Sequence, residues 1–283
     1  MSDVSFIKGL YLVATPIGNL GDISARATDV LTAADIIACE DTRNTKKLLT
    51  LLGITNKSLT AYHEYNADKV RPSILKRLRN NEMIALVSDA GTPLISDPGY
   101  RLVQDCIDQN IYVTAIPGAS AVLTALQLSG LPSHRFLFEG FLPPKTAARQ
   151  KELALLADIP ATLIFYEAPQ RLQETLRDMA FVLGNRKAAV VRELTKKFEQ
   201  TVRGTLLELQ AYYQENGAPK GEIVLVVSPA EQKQFSSDEI NTMLEKALMS
   251  MNVKEASSFI ANQTGKAKKE IYQMALKIKH ASE

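Results

Sequence analysis

Two cysteines and three histidines are the whole supply of thiol and imidazole in a chain of 283 residues. Cys39 and Cys106 each sit in an apolar stretch, which suits reduced, buried thiols and not a disulfide framework. His63, His134 and His280 are scattered, and no Cys/His group has metal-ligand spacing, so no metal is expected. No apolar run approaches the roughly 20 residues of a membrane span. The first residues carry only Lys8 and a short apolar run, and they do not read as a signal peptide. The formal charge of +2 is too small to argue for nucleic acid, so any basic surface would have to be local. Two nucleotide fingerprints are missing as well. Gly18 and Gly21 lack the third glycine of G-x-G-x-x-G, and no Gly-Lys-Ser/Thr closes a P-loop. A cytoplasmic soluble protein remains, with an ordinary 46% hydrophobic and 23% charged residues.

Apolar runs at Leu10–Ala14, Ile36–Cys39, Ile84–Ser88 and Tyr112–Ile116 read as strands. Amphipathic segments at Ala25–Ala33, Thr45–Leu52, Val70–Arg79 and Tyr100–Gln109 read as helices between them. This alternation predicts a mostly parallel sheet covered on both faces. A second α/β set follows, with strands at Phe136–Glu139, Ala161–Tyr166, Ala188–Arg192 and Glu222–Val227. Beyond Pro229 only helical patterns remain, with Ser237 a candidate cap for the first of them. The expected division is an α/β domain over 1–118, a second over 119–230 and a helical extension over 236–283.

The strand ends carry the chemistry. Ser88-Asp-Ala-Gly-Thr-Pro-Leu-Ile-Ser-Asp-Pro-Gly99 is a loop fixed by two Gly and two Pro at the end of an apolar strand, where open α/β sheets bind ligands. Thr15-Pro-Ile-Gly-Asn-Leu ends the first strand; it is either a tight turn or a ligand loop. Cys39-Glu-Asp-Thr-Arg43 puts two carboxylates and an arginine at the second strand's end, and Asp41 serves there either in catalysis or as a helix cap. Phe165-Tyr-Glu-Ala-Pro-Gln-Arg171 and Arg192-Glu-Leu-Thr-Lys196 repeat the pattern. Asp89 suits either a ligand ammonium or its own turn.

Together with Ile116-Pro-Gly-Ala-Ser-Ala, Phe138-Glu-Gly-Phe-Leu-Pro and Gly221-Glu, these segments resemble the ribosomal RNA small subunit methyltransferase I family of the tetrapyrrole-methylase-like superfamily. The resemblance covers nearly the whole chain. It departs at Gln170, where relatives often carry His in Tyr-Glu-x-x-His-Arg. The resemblance implies two α/β domains with S-adenosylmethionine in the cleft between them, within a homodimer. It also implies 2′-O-methylation of a cytidine ribose in 16S rRNA at the decoding centre. The alternatives are a small-molecule, tetrapyrrole-type methylase and a non-catalytic RNA-binding protein.

On that reading the methyl donor is held by Pro16, Gly18, Asp89, Ala90, Gly91, Thr92, Pro93, Pro117, Gly118, Ser120 and Tyr166. Gly- and Pro-fixed turns suit main-chain recognition of an adenosine and an amino-acid tail. A ribose hydroxyl is a weak acid, so a base is expected among the charged loops. Asp41, Glu167, Glu193 and Lys196 are the candidates, Asp41 or Glu193 first, while Arg43 and Lys196 are expected to contact RNA phosphate or orient the base. The stretch Val253–Leu276 resembles a helix-turn-helix with Gly265 at the turn. Lys266, Lys268, Lys269, Lys277 and Lys279 face only Glu270 and Glu283 there, a local net of +3. This fits an RNA-contacting appendage or a solvated lysine face.

Overall fold

The structure, a computed structural model, describes residues 6–230 and 235–281. Glu283, counted above, lies outside them, and the side chain of His280 is not described. Two compact units divide the chain, Met1–Pro229 and Ala230–Glu283.

Strands β1 (Leu10–Val13), β2 (Ile36–Cys39), β3 (Ser58–Ala61), β4 (Ile84–Val87) and β5 (Val113–Ile116) form a wholly parallel sheet ordered β3-β2-β4-β1-β5. Their apolar runs do not alternate with polar residues because both faces are covered. Val13, Ile37, Cys39, Ala85 and Val87 point to α1 (Ala25–Ala33) and α2 (Thr42–Leu51), burying Val30, Leu31 and Leu49. Leu10, Ile36, Ala38, Ile84 and Leu86 point the other way, to α3 (Ala67–Arg79) and α4 (Tyr100–Asp108), burying Ile74, Leu78, Leu102 and Cys106. Helix α2 starts three residues before its expected boundary. Its first turn, Thr42-Arg43-Asn44, has no apolar member and is started by the Asp41 cap instead.

Helix α5 (Ala121–Ser129) leaves the first sheet and packs on the second, so the change of sheet falls between Ile116 and Ala121. The second sheet is mixed. Strands β6 (Phe136–Phe141), β7 (Thr162–Glu167), β8 (Lys187–Arg192), β9 (Gln200–Thr205) and β10 (Ile223–Val227) run in the order β6-β7-β10-β8-β9, and only β6 and β7 pair in parallel. Leu163, Phe165, Val190 and Leu225 face α6 (Thr146–Leu156), α7 (Leu172–Leu183) and α8 (Leu206–Asn216). Ile164, Val191, Val224 and Val226 face α5, and Ile17 from the loop after β1 joins that same cluster. Strand β9 was not expected. Its sequence Gln-Thr-Val-Arg-Gly-Thr buries no residue fully, so its place comes from its ladder to β8 and not from hydrophobic alternation.

Arg149 is fully buried against Asp178, with nitrogen-oxygen distances of 2.7 Å from Nε and 2.6 Å from Nη2. Gln150 donates to the other carboxylate oxygen at 3.1 Å, and the Pro144 carbonyl accepts from the guanidinium. This pair joins α6 to α7.

In the second unit α9 (Ser237–Leu248), α10 (Val253–Thr264) and α11 (Lys268–Ala281) enclose Ile240, Leu244, Ile260, Ile271 and Ala275. The cap of α9 is Ser236, one residue before the expected Ser237, and it forms a reciprocal pair of bonds with Glu239. Gly265 ends α10 at φ 69°, a left-handed conformation that turns the chain toward α11.

Candidate active site

Because the first sheet is parallel, the loops after β1, β2, β4 and β5 all emerge at one edge. Two of them are tied to each other: Thr15 and Gly91 exchange backbone hydrogen bonds of 2.9 and 3.0 Å. A third joins through Thr92, whose hydroxyl donates to the Ala119 carbonyl at 3.1 Å.

Beside these loops lies a cavity of about 400 Å³, within the range of small-molecule sites. The first sheet contributes Ile17, Ala90, Gly91, Thr92, Ile95, Ser96, Asp97, Ser120 and Ala121. The second contributes Phe141, Tyr166, Glu167, Ala168, Pro169, Gly221, Glu222, Ile223 and Val224. The wall is apolar with a few polar groups, and its charged side chains are Asp97, Glu167 and Glu222. All three are acids; among the described residues no lysine or arginine lines it.

Of the residues expected to hold the donor, Ala90, Gly91, Thr92, Ser120 and Tyr166 line this cavity, and so does Glu167, which was expected among the catalytic residues. Tyr166 meets Phe138 and Phe141 edge-on, with centroids 4.8 and 5.5 Å apart. Burial, then the charges of Asp97 and Glu222, push its phenol up to about 12. Glu167 is 3% exposed and accepts from the Thr175 hydroxyl at 2.5 Å and the Ala168 N–H at 2.7 Å, with Arg171 Nε at 3.3 Å.

The other expected residues lie behind or beside the wall. Pro16, Gly18, Pro93, Pro117 and Gly118 do not line it. Asp89 turns away and accepts from the Asp41 N–H at 3.1 Å and the Asn44 side chain at 2.8 Å, fastening the loop after β4 to that after β2. Asp41 caps α2 and binds Arg43 through both backbone and guanidinium, with Nη2–Oδ2 at 2.6 Å. Those bonds hold its carboxyl down at about 2. The Arg43 side chain remains 85% exposed.

Glu193 and Lys196 form a compact knot with Glu222. Lys196 Nζ lies 2.9 Å from both carboxylates, and Glu193 also accepts from the Glu222 N–H at 3.1 Å. The Lys196 bond and then that N–H lower the Glu193 pKa. Burial works against the Lys196 charge, but its two carboxylate bonds outweigh burial and raise its pKa. The knot is packed against glycines. A Cβ at Gly221, whose φ is 95°, would collide with the Glu193 carboxylate, and one at Gly18 would collide with the Lys196 chain. Gln170 is exposed and off the wall. Lys266, Lys268 and Lys269 are exposed around the start of α11, in the second unit.

Sequence reasoning missed Asp97, Ser96, Ile95, Phe141 and Glu222 as wall residues. For Asp97 the only signal was its motif, where Ser88-Asp89 and Ser96-Asp97 are the same dipeptide. Nothing in the sequence says which of the two aspartates faces a ligand. Among the described residues no group of three or more His, Cys, Asp or Glu could hold a metal ion. None of the described helices is long and apolar enough to cross a membrane.

Residues 9–210 match the family of tetrapyrrole (corrin/porphyrin) methylases, and 235–279 match a C-terminal helix-turn-helix domain described for the RsmI proteins. A ribosomal RNA small subunit methyltransferase I from Mesorhizobium japonicum is 51% identical over 96% of this chain and 93% of its own. The chain belongs to the ribosomal RNA small subunit methyltransferase I family. A Synechocystis member is 46% identical over 95% of this chain and 98% of its own, and one from Escherichia coli O157:H7 is 44% identical over 94% of each. The fold recurs in distant solved structures. Cobalt precorrin-4 methyltransferase aligns at TM-score 0.57 and 16% identity, covering 77% of this chain and 93% of that one. Uroporphyrin-III C-methyltransferase from Thermus thermophilus, complexed with S-adenosylhomocysteine, aligns at 0.53 and 17%, covering 77% and 96%. At such identities the likeness carries the two-sheet fold and nothing finer.

Proposed function

We propose that this chain moves the methyl group of S-adenosylmethionine to the 2′-hydroxyl of a cytidine in 16S rRNA, at the decoding centre of the small ribosomal subunit. The near-full-length kinship with proteins named for small-subunit rRNA methylation carries this reading. The chemistry of the cavity supports it. A wall whose charged residues are all acidic suits a ligand bearing a sulfonium and an ammonium, and it repels phosphate. RNA phosphates then belong outside the cavity, at exposed Arg43 and at Lys266, Lys268 and Lys269.

S-adenosylmethionine supplies a methyl carbon already bonded to a good leaving group, so the protein's main task is alignment. Main chain at Ala90, Gly91, Thr92 and Ser120, with the Tyr166 ring, forms the binding wall in this reading. Pro16, Gly18, Pro93, Pro117 and Gly118 set the loops behind it, and Asp89 fastens them to α2. Lys196 holds Glu193 and Glu222 in fixed positions at the cavity edge. The working assembly is a homodimer in the cytoplasm, which sedimentation of the purified protein tests.

A tetrapyrrole substrate is the rival that the distant structures suggest. A polycarboxylate ring would meet Asp97, Glu167 and Glu222 as like charges, which disfavours it. The deciding experiment offers labelled S-adenosylmethionine to the protein with small subunits lacking the modification, with naked 16S rRNA and with a uroporphyrinogen. Label on one cytidine ribose, located by mass spectrometry, is the expected result. Label on the tetrapyrrole alone, or cofactor binding without transfer to any acceptor, would overturn it.

A further inference from the structure

We propose that Tyr65, at the rim of the first sheet, is a stacking platform for an unpaired RNA base, with the cations of α2 holding phosphates of the same strand. The inference rests on the functional reading above and deepens it, because it says where the substrate strand lies.

Tyr65 is 96% exposed, more than any other large apolar side chain among the described residues. A single exposed ring needs no explanation. What sets Tyr65 apart is the rigid mount beneath it. The loop after β3 is closed by Asn66, whose side-chain oxygen accepts from the His63 N–H at 2.9 Å and whose amide donates to the Ala61 carbonyl at 3.0 Å. The Asn66 and Ala67 N–H groups return to the His63 carbonyl at 3.0 and 2.9 Å. Below them Tyr62 is buried, and its N–H donates to the Cys39 carbonyl at 2.7 Å, which ties the loop to the end of β2. The Tyr65 ring rests against His63, with centroids 6.3 Å apart and planes at 59°, while nearly all of its surface stays open to solvent. A ring mounted in this way loses little conformational freedom when a base settles on it.

The sheet order puts this platform beside the cavity. Strand β2 lies between β3 and β4, so the loop after β2 separates the Tyr65 loop from the loop that lines the cavity. At the usual strand spacing β3 and β4 are about 10 Å apart. Glu40, in the loop after β2, is close enough for its charge to act on Asp97 on one side, while His63 acts on Glu40 from the other. The cavity wall, Glu40, His63 and Tyr65 thus form one continuous rim.

Helix α2 starts on that rim. Its Arg43, Lys46 and Lys47 are exposed, and the helix contains no acidic residue. Residues three and four apart share a helix face, so the three cations make one ridge. The charged side chains of the cavity wall are all acids. A polyanionic strand is therefore drawn to the ridge and its phosphates are kept out of the cavity, leaving a ribose to reach the donor. Unpaired RNA is recognised by stacking its splayed bases on rings such as tyrosine and histidine. An exposed ring beside a cationic track supplies both parts of that recognition. A contact with another protein chain would favour apolar neighbours, but Tyr65 stands among Glu64, Asn66, Asp68 and Lys69.

The test measures affinity for small subunits lacking the modification, and for a short oligocytidine at low salt, in the wild type, Tyr65→Ala, Tyr65→Leu and Tyr65→Phe. Single-turnover methyl transfer, calorimetry with S-adenosylhomocysteine and sedimentation accompany it. Tyr65→Ala is expected to weaken binding of both RNA ligands by about 10- to 100-fold. Its dependence on log salt should be unchanged, since a stacked base neutralises no phosphate. Tyr65→Leu, apolar but without a π face, should fall with the Ala variant, and Tyr65→Phe should stay within about threefold of the wild type. Lys46→Ala together with Lys47→Ala should instead flatten the salt dependence by about 0.7 for each phosphate released. Donor affinity should hold in all of them, because none of these residues lines the cavity. Wild-type RNA affinity in Tyr65→Ala overturns the platform, as does a Leu variant equal to the Phe variant or a flattened salt slope in Tyr65→Ala. A loss seen with subunits but not with oligocytidine assigns the ring to a ribosomal protein, and a shift to monomers assigns it to a contact between copies of this chain; either result overturns the proposal. If the wild type methylates no subunit while Tyr65→Ala still loses RNA affinity, the functional reading falls and the platform stands.

Discussion

A carboxylate kept basic by burial and by like charges must weaken the fold that holds it, and Asp97 makes the size of that effect measurable. Its carboxyl sits at about 6 when folded, against an ordinary 3.8. The folded state therefore binds the proton more tightly than the unfolded chain does. Between pH 3.8 and 6 stability falls as pH rises, and above 6 the whole penalty is present. At about 1.36 kcal/mol per pH unit the gap corresponds to about 3 kcal/mol unscreened. Asp97 is only partly buried, and solvent screening reduces this to about 1–2 kcal/mol. Asn cannot ionise and escapes the penalty. Asp97→Asn should therefore be the more stable protein at pH 8, with a melting temperature higher by about 2–8 °C for a unit of this size. The two proteins should converge near pH 4, where both side chains are neutral. Thermal melts by circular dichroism across pH 4 to 8 check this. A variant less stable at pH 8, or a difference that does not change with pH, would refute the electrostatic account of this residue.

Three further outcomes follow from the same structure. Asp178→Ala leaves the fully buried Arg149 guanidinium without its carboxylate and should cost about 3–5 kcal/mol, read by urea unfolding, whereas replacing both partners with apolar residues should cost much less. Gly221→Ala puts a methyl group into the Glu193 carboxylate at a φ of 95°; it should destabilise by about 1–3 kcal/mol and weaken S-adenosylhomocysteine binding, and unchanged binding would separate the knot from the cavity. Replacing Lys266, Lys268 and Lys269 together by Ala should lower subunit affinity and flatten its dependence on log salt by about 0.7–0.9 for each phosphate no longer neutralised, leaving donor affinity untouched. Equal salt slopes would make those lysines a solvated face.

The first sheet was legible because its strands are buried on both faces, so four apolar residues in a row between amphipathic segments admit few other readings. Strand β9 was not legible: it has no fully buried residue, and its pairing with β8 is a tertiary fact. The same distinction runs through the site. Motifs marked the loop from Ser88 to Gly99 as a ligand wall, and Ala90, Gly91 and Thr92 stand there. Which aspartate faced inward was hidden, because that choice depends on Asn44 and the Asp41 N–H waiting to receive Asp89, and on the β6 bulge opposite Ser96. Glu222 was hidden for a similar reason: it enters through a strand antiparallel to its neighbours.

The carboxylates around the cavity differ in their surroundings. Asp41 and Glu193 have cations beside them, which lower their pKa values and keep them ionised throughout the physiological range. Groups so strongly acidic make poor proton acceptors but good fixtures: Asp41 starts α2 and orients Arg43, and Glu193 pins Lys196 against the loop after β1. Asp97 has the opposite surroundings, with burial and two negative neighbours and, among the described residues, no ion pair to a lysine or arginine. Asp41→Asn and Glu193→Gln should therefore lower stability or subunit affinity, read by thermal melts and by subunit binding. Unchanged stability and unchanged subunit affinity in both variants would remove them as fixtures of the loops.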